Sequence, residues 1–298
     1  MNMVERHPLL KATTLVLLML SLVFALGPIY LALCSASVTS HQILLHGLAL
    51  LPGKYLWENL SAVLHRADIG HMLVNSCVVS LIVVAGKLAL ASTSAFAAVY
   101  FRSRVRHLVF WGTFITLLLP LEVRIVPTYA VASDLFEPLR SILTLFTGLH
   151  LHASLNLLDS YTGLSLPLMA SATGTFLFRQ FYLTVPAELS EAARMDGAGP
   201  VRFFVDILLP LSKANFAALG TIVFLTTWKD YMWPLVAISR PEMRTISLGI
   251  STFLPTETGQ PPEWNLVMAA ALIALAPPLV VIGLTQRWFV RGVTGVGK

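Results

Sequence analysis

The residues of this sequence that could do chemistry are a few charged side chains inside long apolar stretches. Glu122 and Arg124 occur in EVRIVPT, and Lys229 and Asp230 follow Trp228 in TTWKDYMWP. Charged groups within membrane-crossing segments are energetically unfavourable, so they are functional candidates by default. Arg recognises an anion such as a phosphate through two parallel hydrogen bonds. The alternative is structural: Arg124 pairs with Glu122 or a backbone carbonyl, and Lys229 extends its ammonium group towards the interface.

Other reactive residue types do not form a recognisable active site. The eight His contain no HExxH pattern, and we expect His150 and His152 to be solvated or interfacial. Cys34 and Cys77 fall in or beside apolar runs and are interpreted as small hydrophobic residues. Residues 292–298 match G-x-x-x-x-G-K, but no Ser/Thr and no helix follow, as a phosphate-binding loop requires. We therefore predict no catalytic residue, no metal site and no cofactor bound by this chain.

The elements that position these charged residues are predicted to be membrane helices. The chain of 298 residues is 56% hydrophobic and 12% charged, whereas soluble domains have about 25% charged residues. Apolar runs of about 18 residues or more, enough to cross a bilayer, recur along it. These values exclude an ordinary soluble domain and predict an all-α, multi-pass membrane protein. The six predicted spans are about 12–36, 72–101, 108–131, 161–183, 214–237 and 264–286.

The distribution of basic residues predicts the topology. Most of the 20 Lys and Arg fall in the segments on one side of the predicted spans, which places both termini in the cytoplasm. The net charge of +5 is therefore a topology signal and does not indicate nucleic-acid binding. Lys87 lies towards the inner side of the second span, and we expect it to reach the interface. The small-residue run ALASTSAFAA in the same span predicts close helix packing.

Two further segments depart from a simple pattern of spans. Pro277 and Pro278 fall inside the sixth span and predict a bend. Residues 141–155, between spans three and four, are apolar but too short to cross a bilayer, which favours a short interfacial helix.

One charged segment, PAELSEAARMDGAGPVRFFVDILLP at 186–210, lies on the cytoplasmic side of the predicted topology. The residues Glu191-Ala-Ala-Arg-Met195 favour a helix, which Ser190 or Thr184 could cap. Gly197 and Gly199-Pro200 end it, and a second helix is predicted over 201–209, up to Pro210. The segment is thus expected to be two short helices joined by a sharp turn.

The spacing within this segment resembles the EAA signature of bacterial ABC-importer permeases, EAA-x3-G-x9-I-x-LP. In that family the loop, here 184–213, forms a coupling helix that seats in a groove on the ATP-binding subunit. The two alanines are expected to allow close approach to that subunit, and the glutamate is expected to offer a charge for pairing. The resemblance assigns ATPase coupling to Glu191, Ala192, Ala193, Asp196, Gly197, Ile207, Leu209 and Pro210.

The resemblance extends over the whole chain, to the carbohydrate-uptake (MalG-like) permeases and especially to the second permease subunit of sn-glycerol-3-phosphate importers. Residues 158–181, 202–213, 263–270 and 286–292 carry it, together with EVRIVPT. It implies the type I importer (MetI-like) fold, with residues 1–298 as a single permease domain in the bacterial inner membrane. Segment 134–156 looks longer than the corresponding outer loop of the family.

The resemblance also implies partners. These are a homologous second permease, a dimer of ATP-binding subunits that bind the ATP and Mg, a periplasmic or lipid-anchored substrate-binding protein, and the lipid bilayer. The substrate alternatives left open are glycerol 3-phosphate, glycerophosphodiesters and a neutral sugar or polyol. Two different classes, a stand-alone secondary transporter and an intramembrane enzyme, would need an ion-coupling or catalytic constellation within this one chain.

Overall fold

The computed structural model describes residues 8–66, 68–101, 106–115, 121–147, 153–254 and 261–294, and within these ranges the regular structure is helical, with no strand. A π-helical turn occupies Phe204–Leu208, and 3₁₀ turns occupy Pro241–Met243 and Ser251–Phe253. Helices α1 to α16 are, in order, Pro8–Ala36, Ser40–His46, Leu56–Arg66, Ile69–Tyr100, Arg106–Ile115, Leu121–Ser133, Glu137–Thr147, Tyr161–Met169, Ala172–Thr184, Ala187–Met195, Pro200–Phe203, Leu209–Leu211, Lys213–Trp228, Met232–Ala237, Ile246–Ile250 and Trp264–Thr294.

Among the described residues, three unbroken helical stretches are long and apolar enough to cross a membrane: Leu9–Ala36, Ile69–Tyr100 and Trp264–Trp288. They coincide with the first, second and sixth predicted spans. The third of these stretches stays helical through Pro277 and Pro278. The total of six spans stays a prediction, because part of the third span lies outside the described residues and α8 and α9 divide the fourth.

The fifth predicted span, 214–237, differs from the prediction because its helix is interrupted. Helix α13 ends at Trp228, and α14 begins at Met232. Pro234 has no N–H to donate to the carbonyl of Asp230, four residues earlier. The Ser247 hydroxyl donates to that carbonyl instead, at 2.6 Å. The helix is therefore interrupted where the proline removes one backbone hydrogen bond, and the Ser247 hydroxyl bonds to the carbonyl that is left free.

The chain divides into two compact units. The first comprises Met1–Gly70 and Gly249–Ala276, and the second His71–Leu248 and Pro277–Lys298. In the first unit, the Asn59 side-chain amide donates to the carbonyls of Ala36 (2.8 Å) and Val38 (2.9 Å). Its oxygen accepts a hydrogen bond from Asn265, at 3.0 Å. A buried amide pair thus joins the end of α1 to α3 and α16. That residues 1–298 form one permease domain stays a prediction.

In the second unit, small residues let helices pack closely, as the run ALASTSAFAA predicts. Ala91 and Ala95 of α4 are buried. A Cβ added to Gly174 of α9 would lie 3.0 Å from the Ala91 Cβ and 3.1 Å from Leu219 of α13. Helices α4 and α9 therefore meet where the side chains are a methyl group and a hydrogen, and Leu219 of α13 packs against the same glycine.

The helix between the third and fourth predicted spans begins earlier than predicted, at α7 (Glu137–Thr147) rather than over 141–155. Asp134 explains the start, because its carboxylate accepts the Phe136 N–H at 3.2 Å and pairs with Arg140. Desolvation raises the pKa of Asp134, but the Arg140 side chain and the N–H groups of Phe136 and Leu155 lower it, and the net pKa is below its ordinary value. His150 and His152 lie outside the described residues.

Candidate functional site

Segment 186–210 forms two short helices, and the first, α10, begins without a side-chain cap. Pro186 occupies the N-cap position. The two residues that the sequence offers as caps bond elsewhere: the Thr184 hydroxyl donates to the Phe181 carbonyl and the Ser190 hydroxyl to the Ala187 carbonyl. The expected cap is therefore wrong. The fixed φ of proline initiates the helix instead, with Glu188 in the first turn, where the helix dipole favours a negative charge.

The end of α10 is a Schellman motif built on Gly197. The Ala198 N–H donates to the Ala193 carbonyl at 2.8 Å, and the Gly197 N–H donates to the Arg194 carbonyl at 3.0 Å. Gly197 has φ +73°, a left-handed conformation that residues with a Cβ adopt only at a cost. The glycine of the sequence signature is thus at the position where the backbone reverses.

The second helix starts with Pro200 at its first position, after Gly199. It continues past the predicted end at 209 to Leu211, through the π-helical turn, where the Leu209 N–H donates to the Phe204 carbonyl. Pro210 explains this turn, since it has no N–H and its ring excludes the regular bond to Asp206. The stretch Pro200–Leu211 then meets α13 at an angle of 74°.

The motif residues divide into buried anchors and an exposed face. Ala193 (5% exposed) and Phe203 (6%) are buried in the hydrophobic core of the second unit. Glu191 and Ala192 are exposed, and Met195 is 88% exposed. Only one of the two alanines is therefore available to a partner, because the other packs within this chain. Ile207 and Leu209 are half-buried, whereas Asp196 and Pro210 are exposed.

Aromatic side chains pack this segment against the ends of α4 and α9. The ring centroids of Tyr100 and Phe203 are 5.2 Å apart, and those of Phe96 and Phe204 are 4.9 Å apart. Tyr182, at the end of α9, lies 6.4 Å from Tyr100. These ring contacts join the second short helix to α4, and α4 to the end of α9.

The candidate charged residues lie around the interrupted helix and on α6. Lys229 is exposed and Asp230 is half-buried, both in the break between α13 and α14. Arg124 is exposed on α6, which packs against α14. Trp228 is buried and stacks on Phe224, with ring centroids 5.6 Å apart. The side chain of Glu122 lies outside what the structure describes, so its pairing with Arg124 stays a prediction.

Comparison with known proteins identifies the family. The model of a family described as "Binding-protein-dependent transport system inner membrane component" matches residues 89–295. The chain belongs to this family. It is therefore a permease subunit of an ABC importer, a multi-pass protein of the bacterial inner membrane.

Curated relatives match the permease along its whole length. It is 46% identical over 302 residues to "sn-glycerol-3-phosphate transport system permease protein UgpE" of Yersinia pestis bv. Antiqua (strain Antiqua), covering 99% of this chain and 100% of the relative. A protein with the same name from Agrobacterium fabrum (strain C58 / ATCC 33970) is 42% identical over 303 residues, with the same coverage.

A solved structure has the same fold. It is the "Crystal structure of a bacterial ABC transporter involved in the import of the acidic polysaccharide alginate", with a TM-score of 0.76 and 19% sequence identity. The match covers 97% of this chain and 99% of the other. The expected all-α importer permease fold is confirmed.

Sequence reasoning missed a polar network in the second unit of the permease. The buried Asn75 side chain donates to the carbonyls of Glu242 (2.7 Å) and Arg244 (3.0 Å), and it accepts the Tyr161 hydroxyl at 2.6 Å. The Asp159 carboxylate accepts the backbone N–H groups of Ser239 and Arg240, at 2.6 and 2.8 Å. The available signal was an Asn within an otherwise apolar span, because buried polar groups need partners.

Proposed function

We propose that this permease forms half of the translocation pathway of an importer for sn-glycerol 3-phosphate. The supporting observation is the full-length similarity, at 46% identity, to a protein named for the transport of that compound. At this similarity the relative and the permease align from end to end, so the candidate pathway segments all have counterparts. The alternatives are a glycerophosphodiester and a neutral sugar or polyol.

The segment 184–213 couples this permease to an ATP-binding subunit. Glu191, Ala192 and Met195 form the docking face, since all three are exposed while Ala193 and Phe203 anchor the segment from below. Gly197 keeps the turn rigid, together with Asp196 at the end of the first helix. Ile207, Leu209 and Pro210 shape the second helix and its junction with α13. ATP and Mg bind to the partner subunits, which carry out hydrolysis.

The substrate path passes the charged residues of the second unit. Arg124 and Lys229 supply positive charge to a phosphate monoester, which carries about −1.5 to −2 at pH 7. Asp230 and Glu122 balance these cations, and Trp228 supports the break through its stacking on Phe224. A dianion entering a passage of low dielectric constant needs cations, because its desolvation is otherwise strongly unfavourable.

The permease works within a complex, with both termini in the cytoplasm. Its partners are a second permease of the UgpA type, a dimer of UgpC-type ATP-binding subunits and a UgpB-type binding protein. The family description, which names dependence on a binding protein, supports the last of these. Six spans with cytoplasmic ends follow from the distribution of basic residues.

The experiment is to purify the binding protein partner of this permease and identify the solute that it retains. We expect glycerol 3-phosphate, released on denaturation and identified by mass spectrometry. A neutral sugar or polyol in its place would contradict the proposed substrate while leaving the permease assignment intact. Recovery of the permease as an active transporter on its own would contradict the assignment to a multi-subunit importer.

A further inference from the structure

The helix break between α13 and α14 is closed by a side chain from the start of α15. The Ser247 hydroxyl donates to the Asp230 carbonyl at 2.6 Å, and the Thr245 hydroxyl lies 3.1 Å from the Ser247 hydroxyl. Because Ser247 uses its single proton on Asp230, it accepts the proton of Thr245. Thr245 is 5% exposed and Ile246 is 1% exposed. The bond that closes the break therefore depends on where this buried stretch is held.

Two neighbouring residues near the start of α4 hold that stretch through its backbone. The Asn75 amide donates to the carbonyls of Glu242 and Arg244, at 2.7 and 3.0 Å. The Ser76 hydroxyl accepts the Ile246 N–H at 2.8 Å. Both side chains are buried, where an unmade hydrogen bond is costly. Helix α4 thus fixes three successive backbone positions of the chain that leads to Ser247.

Helix α8 supports both sides of the break. The Tyr161 hydroxyl donates to the Asn75 oxygen at 2.6 Å, so the amide nitrogen is directed at the two carbonyls that it serves. On the other side, the indole N–H of Trp233 in α14 donates to the Gly163 carbonyl at 3.3 Å. The polar network therefore runs from α8 through α4 and the start of α15 to the Asp230 carbonyl.

We propose that Asn75 and Ser76 are positioning residues for the helix break, and that they act on the substrate path through Ser247. The break carries Lys229 and Asp230, so a fixed carbonyl at Asp230 fixes the backbone from which both charged side chains project. A functional group is effective only when a second layer of hydrogen bonds holds it in place. This inference rests on the proposed function, which places Lys229 and Asp230 in the path.

The test measures uptake of radiolabelled glycerol 3-phosphate and ATP hydrolysis in the same proteoliposomes, which contain the whole complex and loaded binding protein. The readout is the ratio of molecules transported to ATP hydrolysed, because faulty assembly lowers both rates and leaves their ratio unchanged. Ser247→Ala and Ser76→Ala should each lower this ratio by about threefold or more, since a displaced break misplaces the charged groups. Ser247→Thr should restore the ratio, because the hydroxyl returns.

Ser80→Ala is the matched control. Ser80 lies one turn after Ser76 on α4 and is 1% exposed, but its hydroxyl has no hydrogen-bond partner among the described residues. This variant should keep the normal ratio. An equal loss in Ser80→Ala would overturn the positioning role, because the loss of any buried hydroxyl on α4 would then have the same effect.

The double variant Ser76→Ala/Ser247→Ala should be no more impaired than the worse single variant, because both changes free the same break. Losses that multiply would overturn the proposal. Tyr161→Phe removes only the far end of the network, and it decides the question if Ser247→Ala fails to assemble: a lowered ratio supports the proposal and an unchanged ratio overturns it. If the unaltered complex transports a neutral solute instead, the proposed substrate is wrong, and the same ratio measured with that solute decides the positioning role separately.

Discussion

Replacement of Gly197 tests whether the turn between α10 and α11 couples this permease to ATP hydrolysis. Gly197 has φ +73°, and a Cβ there would meet no heavy atom within 4 Å. The whole effect of Gly197→Ala therefore comes from the left-handed backbone, which costs about 1–2 kcal/mol for a residue with a Cβ. That value changes the equilibrium between formed and opened turn by a factor of about 5–30. A β-branched replacement, Gly197→Val, should have a larger effect.

Gly199 provides the matched control. It has φ −71°, which any residue adopts, and a Cβ there also meets no heavy atom within 4 Å. Gly199→Ala adds the same methyl group two residues away without backbone strain. We therefore expect Gly199→Ala to behave as the unaltered permease and Gly197→Val to be the most impaired of the three variants.

The assay is ATP hydrolysis by the reconstituted complex, with and without loaded binding protein. The Gly197 variants should insert into the membrane at normal levels, because the turn lies outside the long helices. Gly197→Ala should lose part of the stimulation by the binding protein and Gly197→Val should lose more, and uptake should fall in parallel. Normal stimulation and uptake in Gly197→Val would refute the reasoning, as would an equal loss in Gly199→Ala.

Three further predictions concern packing and topology. Gly163→Ala should lower the melting temperature in detergent, because the new Cβ would lie 2.7 Å from the Leu157 carbonyl carbon. Gly283→Ala should leave the melting temperature unchanged, because a Cβ there meets no heavy atom within 4 Å. Phe203→Ala should destabilise the permease by about 3–5 kcal/mol and release the segment from α4, measured by denaturation and by loss of coupled ATP hydrolysis. A reporter fused after Lys298 should read cytoplasmic, and an external signal would contradict the topology.

The helical fold and the two short helices of segment 186–210 could be predicted because both depend on local sequence signals. A long apolar run must form a helix in a bilayer, since no water is present to satisfy its backbone. Gly197 and Gly199-Pro200 mark the turn through their backbone preferences, and the structure places Gly197 in the left-handed region. The resemblance of the EAA spacing to that of importer permeases predicts the MetI-like fold.

Features that depend on distant contacts could not be predicted. The break before α14 requires Ser247 to take the place of a missing N–H, and sequence order does not reveal that contact. Ala193 was assigned to a partner surface, but it is buried in the hydrophobic core of the second unit.

The most direct test of the central claim is uptake of radiolabelled glycerol 3-phosphate by proteoliposomes that contain this permease with its partner subunits. The account predicts accumulation that requires ATP, the loaded binding protein and the second permease together. Accumulation by the permease alone, without ATP or binding protein, would contradict the assignment to an ABC importer.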